Sequence, residues 1–117
     1  MSFSIYDSNL TIEKPSTGWP QVYAGDVWVW QVDVSPVVSA PDSYNDMVVH
    51  RISDGSDETS NWSLSGTGSV SGNNVILRQF TVPSGLQDVE YAIVFSFVKD
   101  SNTIHRVIPI RAYEYSG

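Results

Sequence analysis

The sequence contains no cysteine. Thiol catalysis, thiolate metal sites and disulfide bonds are therefore excluded for this chain. No apolar run approaches the roughly 20 residues that a membrane-spanning helix requires. The first residues also lack a basic segment followed by an apolar one, so we expect no signal peptide and a chain made in the cytosol.

Charged residues are scarce, and those present are mostly acidic. They make up 16% of the chain, against roughly 25% in an average globular domain. Thirteen acidic residues oppose six basic ones, giving a formal net charge of −7. Nucleic-acid binders need a basic face to displace counterions, and anionic membranes likewise attract basic segments. We therefore expect neither nucleic acid nor a membrane as a partner.

Apolar and aromatic residues are plentiful enough to build a core. The chain has 117 residues, of which 41% are hydrophobic and 12% aromatic. Roughly 100–150 residues is the usual length of one domain. We expect a single domain that spans residues 1–117.

Apolar residues alternate with a period of two and never follow the helical spacing, which predicts β-strands. The alternation is clearest in Asp26–Val34 and Val89–Val98. In Thr103–Tyr113, Pro109 cannot donate to a ladder, which predicts a sheet edge or a bulge there. Further strands are predicted at Phe3–Tyr6 with Leu10–Ile12, Asp46–Ile52, Asn61–Leu64 and Asn74–Val82, with a hairpin or a mobile tip over Gly66–Asn74.

About seven short strands separated by turns predict an all-β fold, an antiparallel two-sheet β-sandwich that is immunoglobulin-like in size and strand count. Alternation within each strand assigns the side chains that face the interior. The predicted core consists of Trp28, Trp30, Val32, Val48 or Val49, Ile52, Leu77, Phe80, Tyr91, Ile93, Phe95, Ile108 and Ile110.

Residues with catalytic or metal-binding chemistry form no recognisable constellation. His50 and His105 lack the neighbours that a catalytic triad or a zinc site needs. The acidic turn Asp54–Glu58 departs from the spacing of an EF-hand loop and is interpreted as a solvated turn. A paired-carboxylate hydrolase is the weakest hypothesis, because no spacing distinguishes a catalytic pair from turn aspartates; the candidates are Asp26, Asp33, Asp42 and Asp46. We predict no enzyme, no metal and no cofactor.

Aromatic residues near a loop suggest a different class of function. Trp19 and Tyr23 lie in and beside the Pro/Gly-containing segment before the first clear strand. Exposed aromatic rings can stack on sugars, so these two residues are the candidates for a carbohydrate-binding module or a host-recognition domain. Trp28 and Trp30 alternate with valines and are better explained by core packing.

Two segments resemble a known family. Tyr23–Trp30 contains a Gly-Asp turn directly before an aromatic-rich strand. This is similar to the opening of immunoglobulin-like β-sandwich domains in tailed-bacteriophage virion proteins. Gln87–Ile93, followed by a turn and Thr103–Val107, is similar to the final hairpin of those domains.

The resemblance covers about residues 22–34 and 87–111, and Ser35–Asn45 departs from the family pattern, so no site residues are carried over. It implies a structural protein of the virion, foremost a capsid decoration (cement) protein that stabilises the shell, with a baseplate or tail component as an alternative. The implied partners are the major capsid protein or other virion subunits, with a homo-oligomer left open. The implied location is the virion, after synthesis in the bacterial cytoplasm.

Some predicted strands are apolar on both sides. Val27 and Val29 lie opposite the tryptophan face of the first clear strand. A two-sided apolar strand in a two-layer fold needs a cover, either the chain's own Pro36–Asn45 connection or a partner. Tyrosines near a terminus are a second candidate, because interfaces are enriched in tyrosine. The predicted interface residues are Val27, Val29, Ala92, Val94, Val98, Tyr113 and Tyr115.

Overall fold

The computed structural model describes residues 2–4, 20–86 and 90–114. These residues form ten β-strands and one short 3₁₀ helix, Thr59–Trp62. The strands are β1 (Ser2–Ser4), β2 (Gln21–Tyr23), β3 (Val27–Trp28), β4 (Gln31–Asp33), β5 (Ser43–Arg51), β6 (Ser69–Ser71), β7 (Asn74–Ile76), β8 (Phe80–Thr81), β9 (Glu90–Lys99) and β10 (Asn102–Tyr113). The predicted segment Leu10–Ile12 lies outside the described residues.

The strands form two four-stranded sheets with a buried core between them. The first has the order β1-β4-β7-β6, and the second the order β2-β10-β9-β5. The predicted all-β sandwich is thus confirmed. Two pairings, β1 with β4 and β2 with β10, are parallel, so the expectation of a purely antiparallel fold is wrong for these strands. Neither pair is joined by a hairpin, and only a hairpin forces neighbouring strands to run antiparallel.

A break in the first sheet divides two of the predicted strands. Val27 pairs with Thr81 across β3 and β8, whereas Gln31 pairs with Ile76 across β4 and β7. Four steps along one strand therefore match five along the other, which interrupts the ladder as a bulge does. The β3–β8 pair continues the β4–β7 ladder toward one end of the sandwich.

The predicted strand Asn61–Leu64 is wrong, because the 3₁₀ helix occupies this position. The side chain of Asp57 accepts hydrogen bonds from the backbone N–H and the hydroxyl of Thr59. Such local bonds compete with a sheet ladder and favour a turn. The turn directs Trp62 into the core, where its ring lies 5.3 Å from that of Tyr91 and 5.6 Å from that of Phe80.

The core joins the inner faces of both sheets and contains most of the predicted residues. Trp30 packs edge-on against Phe80 with ring centroids 5.2 Å apart. Ile52 is an exception: it follows the last residue of β5, is half-buried and lies on the opposite side of the sheet. Trp28 is half-buried at the margin of the core. The confirmed core residues are Trp30, Val32, Val49, Leu77, Phe80, Tyr91, Ile93, Phe95, Ile108 and Ile110.

Pro109 lies within β10, which has β9 on one side and β2 on the other, so the prediction of an edge strand is wrong. The backbone N–H of Arg111 donates to the carbonyl of Pro20 at 2.9 Å. The nitrogen of Pro109, two residues earlier, points to the same side. Among the described residues the ladder with β2 begins only at Arg111. Pro109 therefore removes no donor from the ladder that the described residues form.

Candidate functional site

The second sheet carries an apolar row on its outer face, by which we mean the surface of this sheet turned away from the core. Side chains alternate along β9, so Tyr91, Ile93 and Phe95 point inward and their even-numbered neighbours point outward. Val94 pairs with Val48 of β5 on one side and with Val107 of β10 on the other. These three valines form a continuous apolar row across three strands.

The predicted interface residues of β9 all lie on the outer face, but they differ in exposure. Val94 and Val98 are partly exposed. Ala92 is 0% exposed, so it offers no surface to a partner, and its assignment as a contact residue is corrected. The reason is its small size: Ala92 lies between the larger side chains of His50 and Pro109 in the paired strands.

A groove of about 230 Å³ opens on the outer face beside the turn that follows β5. Its lining is mostly apolar, and it contains the row's Val94 and Val107 as well as Ile52, which the sequence assigned to the core. The groove is lined by His50, Arg51, Ile52, Gly55, Ala92, Val94 and Val107.

The turn beside the groove is closed by backbone bonds and by a glycine. The N–H of Gly55 donates to the carbonyl of Arg51 at 2.8 Å, and the N–H of Arg51 donates to the carbonyl of Ser56 at 2.9 Å. Gly55 has a φ of +73°, a conformation that glycine adopts without a steric penalty. The turn brings the acidic segment Asp54–Glu58 back along β5, where Asp57 forms a bridge with His50.

The acidic residues of this turn have local partners. Arg51 contacts the carboxylate of Asp54 at 3.1 Å and that of Glu58 at 3.4 Å. A hydrogen bond from the Ser56 backbone lowers the pKa of Asp54. Hydrogen bonds from Thr59, first from its hydroxyl and then from its backbone, lower the pKa of Asp57. Both aspartates are exposed and ionised at neutral pH, so this turn forms an acidic rim beside the groove where Gly55 lines it.

Val27 and Val29 belong to a different surface. Their side chains are 57% and 49% exposed. They alternate with the inward-facing Trp28 and Trp30, so they project from the first sheet, on the side of the sandwich opposite the outer face. The alternative in which Pro36–Asn45 covers them is wrong, because Val37 and Val38 of that connection pack against the core and leave Val27 and Val29 open.

Tyr23 and Tyr113 form an aromatic pair on neighbouring strands. The two residues are paired across β2 and β10, with ring centroids 5.7 Å apart and an interplanar angle of 34°. Tyr23 is 43% exposed. Both rings point outward, because the adjacent Val22 and Ala112 are buried. The other two predicted aromatic residues, Trp19 and Tyr115, lie outside the described residues.

The four aspartates considered for hydrolysis each accept a backbone hydrogen bond nearby. Asp26 accepts from Tyr23, and Asp33 from Ser35, both at 2.9 Å. Asp42 accepts from Asp100, and Asp46 from Met47, both at 2.8 Å. Each of these carboxylates therefore stabilises the backbone at a turn or at the end of a strand.

A second and larger cavity, of about 470 Å³, lies at the end of the sandwich. Its lining is predominantly polar and includes the Arg51–Glu58 ion pair. Asn61 donates to the carboxylate of Glu58 at 3.3 Å, so the charged groups of this cavity are already bound to one another. The remaining lining residues are Pro83, Ser84, Gly85, Leu86 and Tyr91.

Part of this site could have been found in the sequence. Val107 and Pro109 alternate with Ile108 and Ile110, a sign that β10, like β9, is apolar on both sides. The sequence does not indicate that His50 and Ile52 line one groove, because this arrangement depends on how the turn after β5 folds back.

Three structural and comparative findings complete the description. In the described part of the chain, no group of three or more His, Cys, Asp or Glu residues is arranged to hold a metal ion. Within the same residues, no helix has the length and apolar character that a membrane span requires. No protein-family model, no curated protein and no solved structure gives a significant match to this chain.

Proposed function

We propose that this chain is a non-enzymatic structural subunit that attaches to a larger particle through its outer face. The observation that carries this proposal is the row formed by Val48, Val94 and Val107. In a two-layer sandwich the outer side of a sheet normally carries polar side chains. Val107 is 1% exposed and lies beneath the surface of this row, whereas Val48 and Val94 are partly exposed. The exposed parts of Val48 and Val94 lose contact with water when a partner covers them, which favours association.

The particle that we propose is a tailed-phage virion, with this chain as a capsid decoration protein. Strand order supports the immunoglobulin-like part of the proposal. In strand order alone, β1-β4-β7-β6 and β2-β10-β9-β5 are similar to the ABED and CFG sheets of an immunoglobulin domain, with β2 added at one edge. The parallel pairing of β1 with β4 departs from the antiparallel sheets of that fold. The two segments that carry the family resemblance correspond to β2–β4 and β9–β10, which lie in both sheets.

Co-sedimentation with virions tests the proposal. Recombinant chain is added to virions of the encoding phage that were assembled without it, and the bound fraction is measured. We expect the wild type to bind and Val94→Asp to lose most binding, because a carboxylate would be buried in an apolar contact. Val29→Asp is the matched control on the opposite surface and should bind normally.

Two results would overturn this assignment. If the wild type does not sediment with virions, the chain has no attachment role there. If folded Val94→Asp binds at full occupancy, the outer face is not the attachment surface. Immunogold labelling of intact virions distinguishes the capsid from the baseplate or tail as the site of attachment. Label on the baseplate or tail would favour a baseplate or tail component over a capsid decoration protein.

Carbohydrate binding is a second candidate function, and the Tyr23–Tyr113 pair is the observation that favours it. Tyr23 presents a large exposed ring. The ring of Tyr113 packs against it, with the two ring centroids 5.7 Å apart. A sugar ring could stack on such a surface while the tyrosine hydroxyls bind its hydroxyl groups. A glycan array with the wild type and Tyr23→Ala tests this; binding should be present in the first and lost in the second, and an array without any signal removes the candidate.

A further inference from the structure

The groove on the outer face has the size of a pocket for one side chain. Pockets for drug-sized ligands measure roughly 300–1,000 Å³, and the groove, at about 230 Å³, is smaller. An apolar cavity of about 150 Å³ is enough to hold benzene. A phenyl ring or a branched aliphatic side chain therefore fits.

The chemistry of the groove separates an apolar floor from an acidic rim. Ile52, Val94 and Val107 supply apolar surface within it. Asp54 and Asp57 stand exposed on the adjoining turn. The guanidinium of Arg51 already forms ion pairs with the carboxylates of Asp54 and Glu58. The turn thus carries three acidic groups against one cation. This acidic rim borders the groove at Gly55, and the groove's own lining includes Arg51 and His50.

We propose, building on the attachment role above, that this groove is the anchor pocket of the outer face and takes one large apolar side chain, flanked by basic residues, from the partner. Interfaces commonly derive most of their binding energy from a few large side chains seated in pockets. Basic neighbours on the partner would meet the ionised rim, which speeds association and fixes the orientation of the docked segment.

A second copy of this chain is a poor occupant of the groove. The exposed large apolar side chains in the described residues are Tyr23, Val27 and Val29. They lie around Asp26, which would face the acidic rim of another copy. Each copy also carries a formal charge of −7. The groove therefore suits a basic partner rather than self-association.

Peptide titration followed by NMR tests this pocket without any knowledge of the partner. The probes are three capped pentapeptides: Lys-Arg-Phe-Arg-Lys, the same peptide with Ala in place of Phe, and Glu-Glu-Phe-Glu-Glu. We expect saturable shifts of backbone amides in residues 50–57 and 92–94 with the first peptide. Its affinity should be at least tenfold higher than that of the other two, and it should weaken as salt is added.

Two variants locate the binding. Ile52→Asp introduces a carboxylate into the groove and should weaken the basic phenylalanine peptide at least tenfold, while Val29→Asp, on the opposite surface, should leave it unchanged. Equal affinities for the three peptides, or shifts confined to other regions, would overturn the proposal. The peptide comparison uses the wild-type chain, so it decides the matter even if a variant does not fold.

The outcomes also separate this proposal from the attachment role. If the peptides do not bind but Val94→Asp still releases the chain from virions, the outer face docks without an anchor pocket. If the peptides bind in the groove but Val94→Asp stays on virions, the pocket exists and the attachment role fails.

Discussion

The ring of Tyr44 lies so close to the backbone of Gly68 that a Cβ atom built on Gly68 would clash with the Cδ1 atom of Tyr44. Tyr44 belongs to β5 in the second sheet, and Gly68 immediately precedes β6 in the first. The contact therefore connects the two sheets at one margin of the sandwich. Only glycine allows the ring to take this position.

Replacing Gly68 with alanine should destabilise the protein by about 1–3 kcal/mol, the usual cost of overpacking. The added methyl group forces the Tyr44 ring out of place, because the three atoms nearest to a Cβ atom on Gly68 all belong to that ring. Urea denaturation of Gly68→Ala measures this cost. In the Tyr44→Ala background the same substitution should cost much less, and equal costs in both backgrounds would contradict the contact.

The hydroxyl of Tyr44 makes the protein sensitive to alkaline pH. Burial, helped by the neighbouring Asp46 carboxylate, raises the pKa of Tyr44 to about 12. In the unfolded chain a tyrosine titrates near pH 10. The unfolded state therefore loses its proton first, so this contribution to stability is complete below about pH 10 and is lost as pH rises toward 12.

Tyr44→Phe should show a smaller loss of stability between pH 9 and 11.5 than the wild type. At neutral pH it should be neutral or slightly stabilising, because the buried hydroxyl has no hydrogen-bond partner among the described residues. Denaturation curves across this pH range measure both effects. A parallel loss in the two proteins would show that Tyr44 is not the responsible group.

The fold was predictable wherever local alternation decided the structure. Trp30 and Phe95 face the core because their neighbours alternate, and β9 and β10 have nearly the predicted limits. One error falls where hydrogen bonds outside the alternation decide: Trp62 enters the core on a turn held by Asp57 and Thr59. Ile52 is a different case, because alternation places it with Val48 and opposite the buried Val49, on the outer face.

The candidate site was predictable only in part, for a related reason. Val94 and Val98 could be assigned to the outer face from β9 alone. The row through Val48 and Val107 depends on the register between three strands, which the sequence of one strand does not contain. The groove depends further on the closure of the Arg51–Ser56 turn, which combines a glycine with two backbone bonds.

Asp57 should contribute to acid sensitivity. Hydrogen bonds from Thr59 lower its pKa in the folded protein, below the value of about 3.9 in the unfolded chain. The stability that these bonds provide is present above about pH 3.9 and is lost as pH falls through the lower folded value, because the unfolded state binds the proton first. Asp57→Asn should therefore show a flatter stability curve between pH 5 and 2. An unchanged slope in denaturation midpoints would contradict this assignment.

The adjacent residues Val94 and Phe95 test the assignment of the two faces of β9. Phe95 is fully buried and stacks on Phe97 with ring centroids 6.0 Å apart, whereas Val94 is partly exposed on the outer face. Phe95→Ala should cost about 3–5 kcal/mol, since it opens a cavity in the core. Val94→Ala removes about two methylene equivalents from a half-exposed site and should cost about 1 kcal/mol or less. Thermal or urea denaturation measures both, and similar costs for the two variants would mean that the register of β9 is shifted by one residue.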